Sequence, residues 1–207
     1  MNDYQKEQLE TLLAVRKHLA EIPAAKQDIL REKIQDYLAF RRETADFLAE
    51  HFAGLCTRNC YENRLSACCS KDGIIAFFAD TLINALLSPD EELSTLEKAL
   101  RRSNSGFTCV WLSEKGCLWK LKPIVCEMFL CDAAKKEILG KDQRLDREWK
   151  KLEEKKKRFT WPDRPVLFDE LEEIFMDAGY RTATMYLHNS PGLLRIKKIS
   201  GMRKEEK

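Results

Sequence analysis

The chain has 207 residues, which is enough for one domain with a sizeable core. Apolar residues make up 44% of it and charged residues 34%, an ordinary balance for a globular protein. The formal net charge of +2 gives no general attraction to nucleic acid or to a membrane surface, so charge favours neither as a partner. With 8 Gly and 6 Pro, and many good helix formers, the composition predicts a mostly α fold.

Residues 1–52 predict an N-terminal helical hairpin. Apolar side chains at helical spacing indicate a helix over residues 4–22, which Pro23 ends. A second helix is expected over residues 24–52. Its predicted buried face consists of Leu30, Ile34, Tyr37, Leu38, Ala45, Leu48 and Phe52.

The longest apolar stretch runs from Ile74 to Leu87 and is interrupted by Asp80, Thr81 and Asn84. Because it is too short to span a bilayer, it predicts a helix buried in the core and no membrane insertion. No apolar run of the secretory type begins the sequence either. These two observations predict a cytoplasmic protein.

Local signals place the boundaries of the next helices. Ser88 is expected to cap a helix, with Pro89 at its first position and Glu91 closing a capping box. Pro123 is expected to begin a short helix that carries Cys126 and Cys131, and Gly140 is expected to interrupt or kink the next segment.

Two further helices are predicted near the C-terminus. Residues 141–159 form a charged helix with Leu145, Trp149, Leu152 and Phe159 at three- and four-residue spacing, so it is a solvated surface helix or an arm that binds an unidentified protein partner. A last amphipathic helix is expected over residues 166–178, and a basic tail follows over residues 191–207.

Together these patterns divide the chain into four parts. They are the hairpin (1–52), a cysteine-rich helical core that binds metal (53–140), amphipathic helices that pack on or extend from it (141–190), and the basic tail (191–207). In the expected cytoplasmic compartment thiols stay reduced, so clustered cysteines bind metals or act in catalysis more often than they form disulfides.

All eight cysteines lie in a central stretch of the chain, from Cys56 to Cys131. The first cysteine group is Cys56, Cys60, Cys68 and Cys69, and the second cysteine group is Cys109, Cys117, Cys126 and Cys131. Thiolates are the soft ligands that bind zinc or iron–sulfur clusters, and several must converge on one point. The clustering therefore predicts that these eight residues are the metal ligands.

The spacing of the cysteines limits which of them can bind the same metal ion. Cys56 and Cys60 are four residues apart, so on a helix their thiols lie on the same side. Cys68 and Cys69 are adjacent, a geometry that seldom lets both bind one tetrahedral zinc. The prediction is therefore between four and eight ligands, with His51 a weaker candidate.

The segment from Gly116 to Phe129, GCLWKLKPIVCEMF, resembles the second motif of the YkgJ-type cysteine-cluster proteins, a family described as zinc- or iron-chelating domains. The first cysteine group, which ends in Cys-Cys, is similar to that family's first motif, and the resemblance covers about residues 53–135. Lys122 stands where the family usually has Arg, and the first group is more widely spaced than the family's Cys-x-x-Cys.

The resemblance implies a domain that binds a metal or a cluster. Three hypotheses follow from it and from the cysteines. The first is an iron–sulfur protein, with a 4Fe–4S cluster favoured, that acts in redox chemistry or electron transfer. The second is a structural zinc module for protein–protein interaction, and the third is a cysteine- or metal-dependent enzyme whose reaction the sequence does not identify.

Overall fold

The computed structural model describes residues 1–58, 76–104, 108–160 and 166–185. Within them the protein is mostly helical, as the composition predicts. Cys60, Cys68, Cys69 and the predicted basic tail lie outside the described residues. The predicted division into four parts stays a prediction.

The helices of the first half are α1 (Asp3–Glu21), α2 (Ala24–Lys33), α3 (Gln35–Cys56), α4 (Phe78–Leu87) and α5 (Asp90–Arg101). A two-stranded hairpin follows, made of β1 (Leu112–Ser113) and β2 (Gly116–Cys117). The remaining elements are α6 (Ile124–Glu127), α7 (Asp132–Ala134), a π-helical turn (Lys135–Leu139), α8 (Gln143–Thr160) and α9 (Leu167–Asp177).

Helix α1 begins at a capping box. The Asn2 side chain accepts a hydrogen bond from the backbone of Gln5, at 2.8 Å, and the Gln5 side chain accepts one from the backbone of Asn2. Its apolar face packs mainly on α4 and α5. The buried apolar residues of that face are Leu9, Leu12, Val15 and Leu19.

The second predicted helix is divided into two pieces. Ile34 lies between α2 and α3 with φ −92° and ψ 1°, and its side chain is fully buried. The break leaves the spacing of the buried face unchanged, since Leu30, Ile34, Tyr37, Arg41 and Thr44 are buried at steps of three and four residues. Ala45 is exposed although the pattern placed it in the core, because the polar residues Arg41 and Thr44 occupy that part of the buried face. The residues buried on α3 are Tyr37 and Phe52, as predicted, together with Phe40, Arg41, Thr44 and Phe47.

Helix α4 lies in the middle of the core, as its apolar sequence predicts. Every residue from Phe78 to Leu86 is buried, including the polar ones. The next helix starts differently from the prediction, because α5 begins at Asp90 after Pro89 and has no side-chain cap. The prediction that Ser88 caps it is wrong: among the described residues, the buried Ser88 hydroxyl has no hydrogen-bond partner.

Helices α8 and α9 pack against each other, and α8 also packs on α3. The Trp149 ring stacks on Phe47 with ring centroids 5.9 Å apart, and Phe159 stacks on Phe40 at 5.4 Å. These contacts bury the apolar face of the charged helix and leave its other faces exposed. After α9 the chain turns at Gly179, whose φ of +90° favours glycine.

None of the helices in the described ranges combines the length and the apolar character needed to cross a membrane.

Candidate cysteine metal centre

The second cysteine group begins in a tight hairpin. β1 and β2 are antiparallel, with Leu112 opposite Cys117, and Gly116 permits the turn because its φ is +105°. Ahead of the hairpin, the backbone N–H of Trp111 lies 3.4 Å from the Cys109 sulfur and donates to it. Cys117 thus ends the hairpin, and Cys109 lies three residues ahead of it.

The other two members of the second cysteine group follow Pro123. Cys126 lies in α6, which begins after that proline as predicted. Cys131 is not in the same helix, because α6 ends at Glu127 and Cys131 forms the N-cap of α7. Its sulfur accepts a hydrogen bond from the backbone of Ala134 at 3.5 Å. The predicted short helix is therefore correct for Cys126 only.

A buried arginine fixes the backbone between these cysteines. Arg41 on α3 is 2% exposed, and its guanidinium donates to the Glu127 carboxylate at 2.6 Å and to the carbonyl of Lys122 at 2.5 Å. Its third nitrogen donates to the hydroxyl of Tyr37 at 2.7 Å. The planar guanidinium thus binds both ends of the segment 122–127, which carries Cys126.

Two polar residues of α4 bind the same segment. The Asp80 carboxylate accepts from the backbone N–H of Ile124 at 3.1 Å and from that of Phe77 at 3.0 Å. The Asn84 side-chain oxygen accepts from the backbone of Leu121, also at 3.1 Å. We refer to Tyr37, Arg41, Asp80 and Asn84 together as the polar anchor.

Burial raises the pKa values of the two acidic groups in the polar anchor. It raises the pKa of Asp80 to about 6, although Arg41 and the two backbone N–H groups favour the charged form. It also raises the pKa of Tyr37, so this hydroxyl stays protonated at neutral pH. The polar anchor is therefore a buried network whose groups are satisfied largely by the cysteine segment itself.

Helix α1 contacts the segments that flank the cysteines. Gln5 donates to the carbonyls of Leu100 and Arg102, at 2.8 and 2.7 Å, and so caps the C-terminal end of α5. Gln8 donates to the carbonyl of Ala76, just ahead of α4. These contacts place α1 beside the chain on both sides of the helix pair α4–α5.

Tyr4, in the first turn of α1, contacts Trp111, which lies between Cys109 and Cys117 in the sequence. Its hydroxyl accepts a hydrogen bond from the Trp111 indole at 2.9 Å. Burial raises the pKa of Tyr4 well above its usual value; the Trp111 hydrogen bond lowers it, and the negative charges of the Cys109 and Cys126 thiolates raise it further. Cys109 and Cys126 therefore lie within electrostatic reach of one hydroxyl.

Two further candidate ligands, Cys56 and His51, lie on α3. Cys56 is the last residue of α3 and is partly buried against the core. The His51 ring packs edge-on against Phe47 at 4.8 Å. In the part of the chain that the structure describes, no three His, Cys, Asp or Glu side chains are grouped so that they could hold a metal ion. The eight-cysteine ligand set stays a prediction.

The residues that position the cysteines were not predicted from the sequence. Tyr4 and Gln8, Tyr37 and Arg41, and Asp80 and Asn84 are three pairs with i, i+4 spacing. Each pair lies on or beside an apolar helix face, where a polar residue must find a partner inside the protein. That spacing is the sequence signal that could have identified them.

Comparisons with known proteins identify no relative: no family model, no curated protein and no solved structure matches this chain. The resemblance to YkgJ-type cysteine-cluster proteins therefore stays a prediction that rests on the motif residues.

Proposed function

We propose that the protein binds a metal centre through cysteine thiolates, and that this centre is an iron–sulfur cluster, most simply 4Fe–4S, used in redox chemistry or electron transfer. The observation that carries the proposal is the polar anchor. Burying a charged group is costly unless its hydrogen bonds are satisfied. Here buried groups from two helices converge on the backbone at residues 121–127, beside Cys126.

Such an arrangement suits a ligand-bearing loop. Metal ligands work best when the surrounding protein fixes their positions before binding. The negative charges of Cys109 and Cys126 both act on the Tyr4 hydroxyl, which supports the two thiolates as members of one site. A tetrahedral site needs further ligands, which the proposal takes from the other cysteines of the two groups. A bound iron–sulfur cluster would supply one-electron transfer.

The decisive experiment is anaerobic purification of the full chain, followed by measurement of iron, sulfide and zinc per chain and by visible absorption. A 4Fe–4S cluster predicts about four irons and four sulfides per chain and a broad brown absorption. Stoichiometric zinc in a colourless protein would overturn the redox proposal, and a protein that takes up neither metal would overturn thiolate binding altogether.

Single cysteine variants identify the ligands. Cys109→Ser and Cys126→Ser are expected to lose metal, because the hydroxyl of serine is a poor substitute for a thiolate. Ala133→Ser is the matched control, since this exposed residue lies in α7, two positions after Cys131. If Ala133→Ser also lost metal, any substitution in this segment would disturb the site. Metal loss in the cysteine variants would then not identify them as ligands.

A structural zinc module is the second proposal, and the same polar anchor supports it. Metal bound at residues 109–131 would be coupled through the anchor to α3 and α4, and structural metals contribute folding free energy. If chelation removes stoichiometric zinc and lowers the melting temperature, zinc is structural. Unchanged stability after complete zinc removal contradicts this role.

A further inference from the structure

Two buried polar groups, the Trp119 indole nitrogen and the Thr81 hydroxyl, have no hydrogen-bond partner among the described residues. Trp119 is 5% exposed and Thr81 is 4% exposed, so bulk solvent does not serve either group. A buried polar group is destabilising unless a hydrogen bond satisfies it. Each of these side chains therefore calls for a partner inside the protein.

Both side chains line one small cavity, which lies where α1, α4 and α5 meet the two tryptophans and has a volume of about 10 Å³. Gln8 of α1 and Asn84 of α4 line it too. The rest of its wall is apolar and comes from Leu12, Leu96 and Trp111. A cavity of this size has room for one water molecule, which needs two to four polar groups to bind it.

The groups around the cavity favour water over other small ligands. The indole N–H only donates, so its partner must be an acceptor, whereas the Thr81 hydroxyl both donates and accepts. Gln8 supplies a side-chain amide, whose nitrogen already donates to the carbonyl of Ala76. None of the lining residues is charged, so an ion would have no countercharge there. An apolar gas would leave both unpartnered groups unsatisfied, and water satisfies both.

We propose that this cavity is a binding site for one structural water molecule, which accepts a hydrogen bond from the Trp119 indole and forms another with the Thr81 hydroxyl. The water joins α4 to the chain two residues after Cys117. Asn84, also on α4, binds the backbone N–H of Leu121 in the same segment. Helix α4 thus holds this segment both directly and through water, and the water site does not depend on the proposed metal centre.

Thr81→Ile tests the site, because isoleucine removes the hydroxyl and adds a methyl group that takes the place of the water. Magnetic relaxation dispersion of the water oxygen counts the molecules held inside the full chain in solution, and a nuclear Overhauser effect from water to the Trp119 indole proton locates one of them. The variant should hold one long-lived water fewer and lose the effect at Trp119. Thr95→Ile, at an exposed position of α5, is the matched control and should keep both signals. Equal water counts in wild type and folded Thr81→Ile, or no effect at Trp119 in the wild type, overturn the proposal.

Thr81→Val gives a second test, which also decides the matter if Thr81→Ile does not fold. Valine keeps the shape of threonine but cannot bind water. If water satisfies the Thr81 hydroxyl, the variant loses that hydrogen bond and its folding equilibrium constant falls about fivefold in urea unfolding. If the hydroxyl has no partner, valine removes a buried unsatisfied group and the protein becomes more stable, which contradicts the water site. The exposed control Thr95→Val should change the constant by no more than about twofold.

Discussion

Arg41 uses all three nitrogens of its guanidinium within the protein. They bind a carboxylate, a backbone carbonyl and a phenol, from Glu127, Lys122 and Tyr37. No other side chain presents donors in this planar arrangement. A lysine at the same position would supply a single ammonium and could not reach the three acceptors together, so the identity of this residue matters as well as its charge.

We expect Arg41→Lys to destabilise the protein by about 3 kcal/mol, because one ammonium cannot reach all three acceptors and leaves buried acceptors without a donor. Arg42→Lys is the matched control, since Arg42 is the exposed neighbour on the same helix. Urea unfolding monitored by circular dichroism measures both. Equal stabilities for the two variants would contradict the anchoring role of Arg41.

Asp80 makes stability depend on pH. Its pKa is about 6 in the folded protein against 3.8 for the unperturbed group. Between these values the folded state binds more protons than the unfolded state, so the contribution of Asp80 to stability falls as pH rises through this window and is constant above it. The full effect is on the order of 3 kcal/mol.

Asp80→Asn should remove this dependence. The variant also loses one acceptor for a backbone N–H and is expected to be less stable than the wild type at every pH. The useful quantity is the difference in unfolding free energy between the two proteins at pH 4.5, 6 and 7.5, which should shrink as pH rises. A constant difference would show that Asp80 keeps an ordinary pKa.

At the scale of the elements, apolar patterns were sufficient to predict most of the long helices but not where they break. The sequence predicted α1, α8 and α9 from their apolar spacing and the buried α4 from its apolar stretch. It did not predict the break at Ile34, since neither glycine nor proline marks it. The error at Ala45 has another cause: a search for apolar spacing leaves out Arg41 and Thr44, the polar residues that occupy the buried face of α3.

The sequence could nominate the cysteines and the segment from Gly116 to Phe129 as a candidate site, because motif and clustering are local in sequence. The polar anchor could not. Arg41 and Glu127 are 86 residues apart in the sequence, and Asp80 and Ile124 are 44 apart. Partners at such distances are established only by the packing of α3 and α4 in the folded protein.

Gly140 marks a boundary that tolerates no side chain. A Cβ there would lie 2.7 Å from the backbone oxygen of Lys136, at the end of the π-helical turn. Gly140→Ala should therefore destabilise the protein by about 1–3 kcal/mol, a cost typical of overpacking. Thermal unfolding measures the change.

Gly54→Ala is the opposite control. Gly54 lies inside α3, where a Cβ would meet only the end of the Arg58 side chain at 3.8 Å. Alanine there should stabilise the protein by about 0.5–1 kcal/mol, because glycine is the poorer helix former. If Gly140→Ala also stabilised the protein, the π-helical turn would accommodate the new Cβ with no loss of free energy, which would contradict the expected clash.

For the whole molecule, α1 is the element that joins distant parts of the chain. Through Tyr4, Gln5 and Gln8 it contacts Trp111, the end of α5 and the residue ahead of α4. Besides its apolar face, α1 therefore has polar side chains that form hydrogen bonds near the second cysteine group.

Gln5→Ala is expected to reduce the free energy of unfolding by about 2 kcal/mol, because two carbonyls at the end of α5 lose their donor. Gln35→Ala is the control, since the exposed Gln35 side chain bonds only to the carbonyl of Arg31 within the described residues. Amide hydrogen exchange should show faster exchange at residues 100–104 in the first variant only. Similar exchange in both would contradict a capping role for Gln5.

The contacts of α1 also set an order of assembly during synthesis. Gln5 and Tyr4 are made first, but their partners lie 95 to 107 residues later in the sequence. Until Trp111 has left the ribosome, the Tyr4 hydroxyl lacks its hydrogen-bond donor, and until Glu127 follows, Arg41 lacks its carboxylate. Because such long-range closure is slow, the segments that carry Cys109 and Cys126 take up their positions late in folding. A metal centre built on them would be loaded only after α1 and α3 have made these contacts.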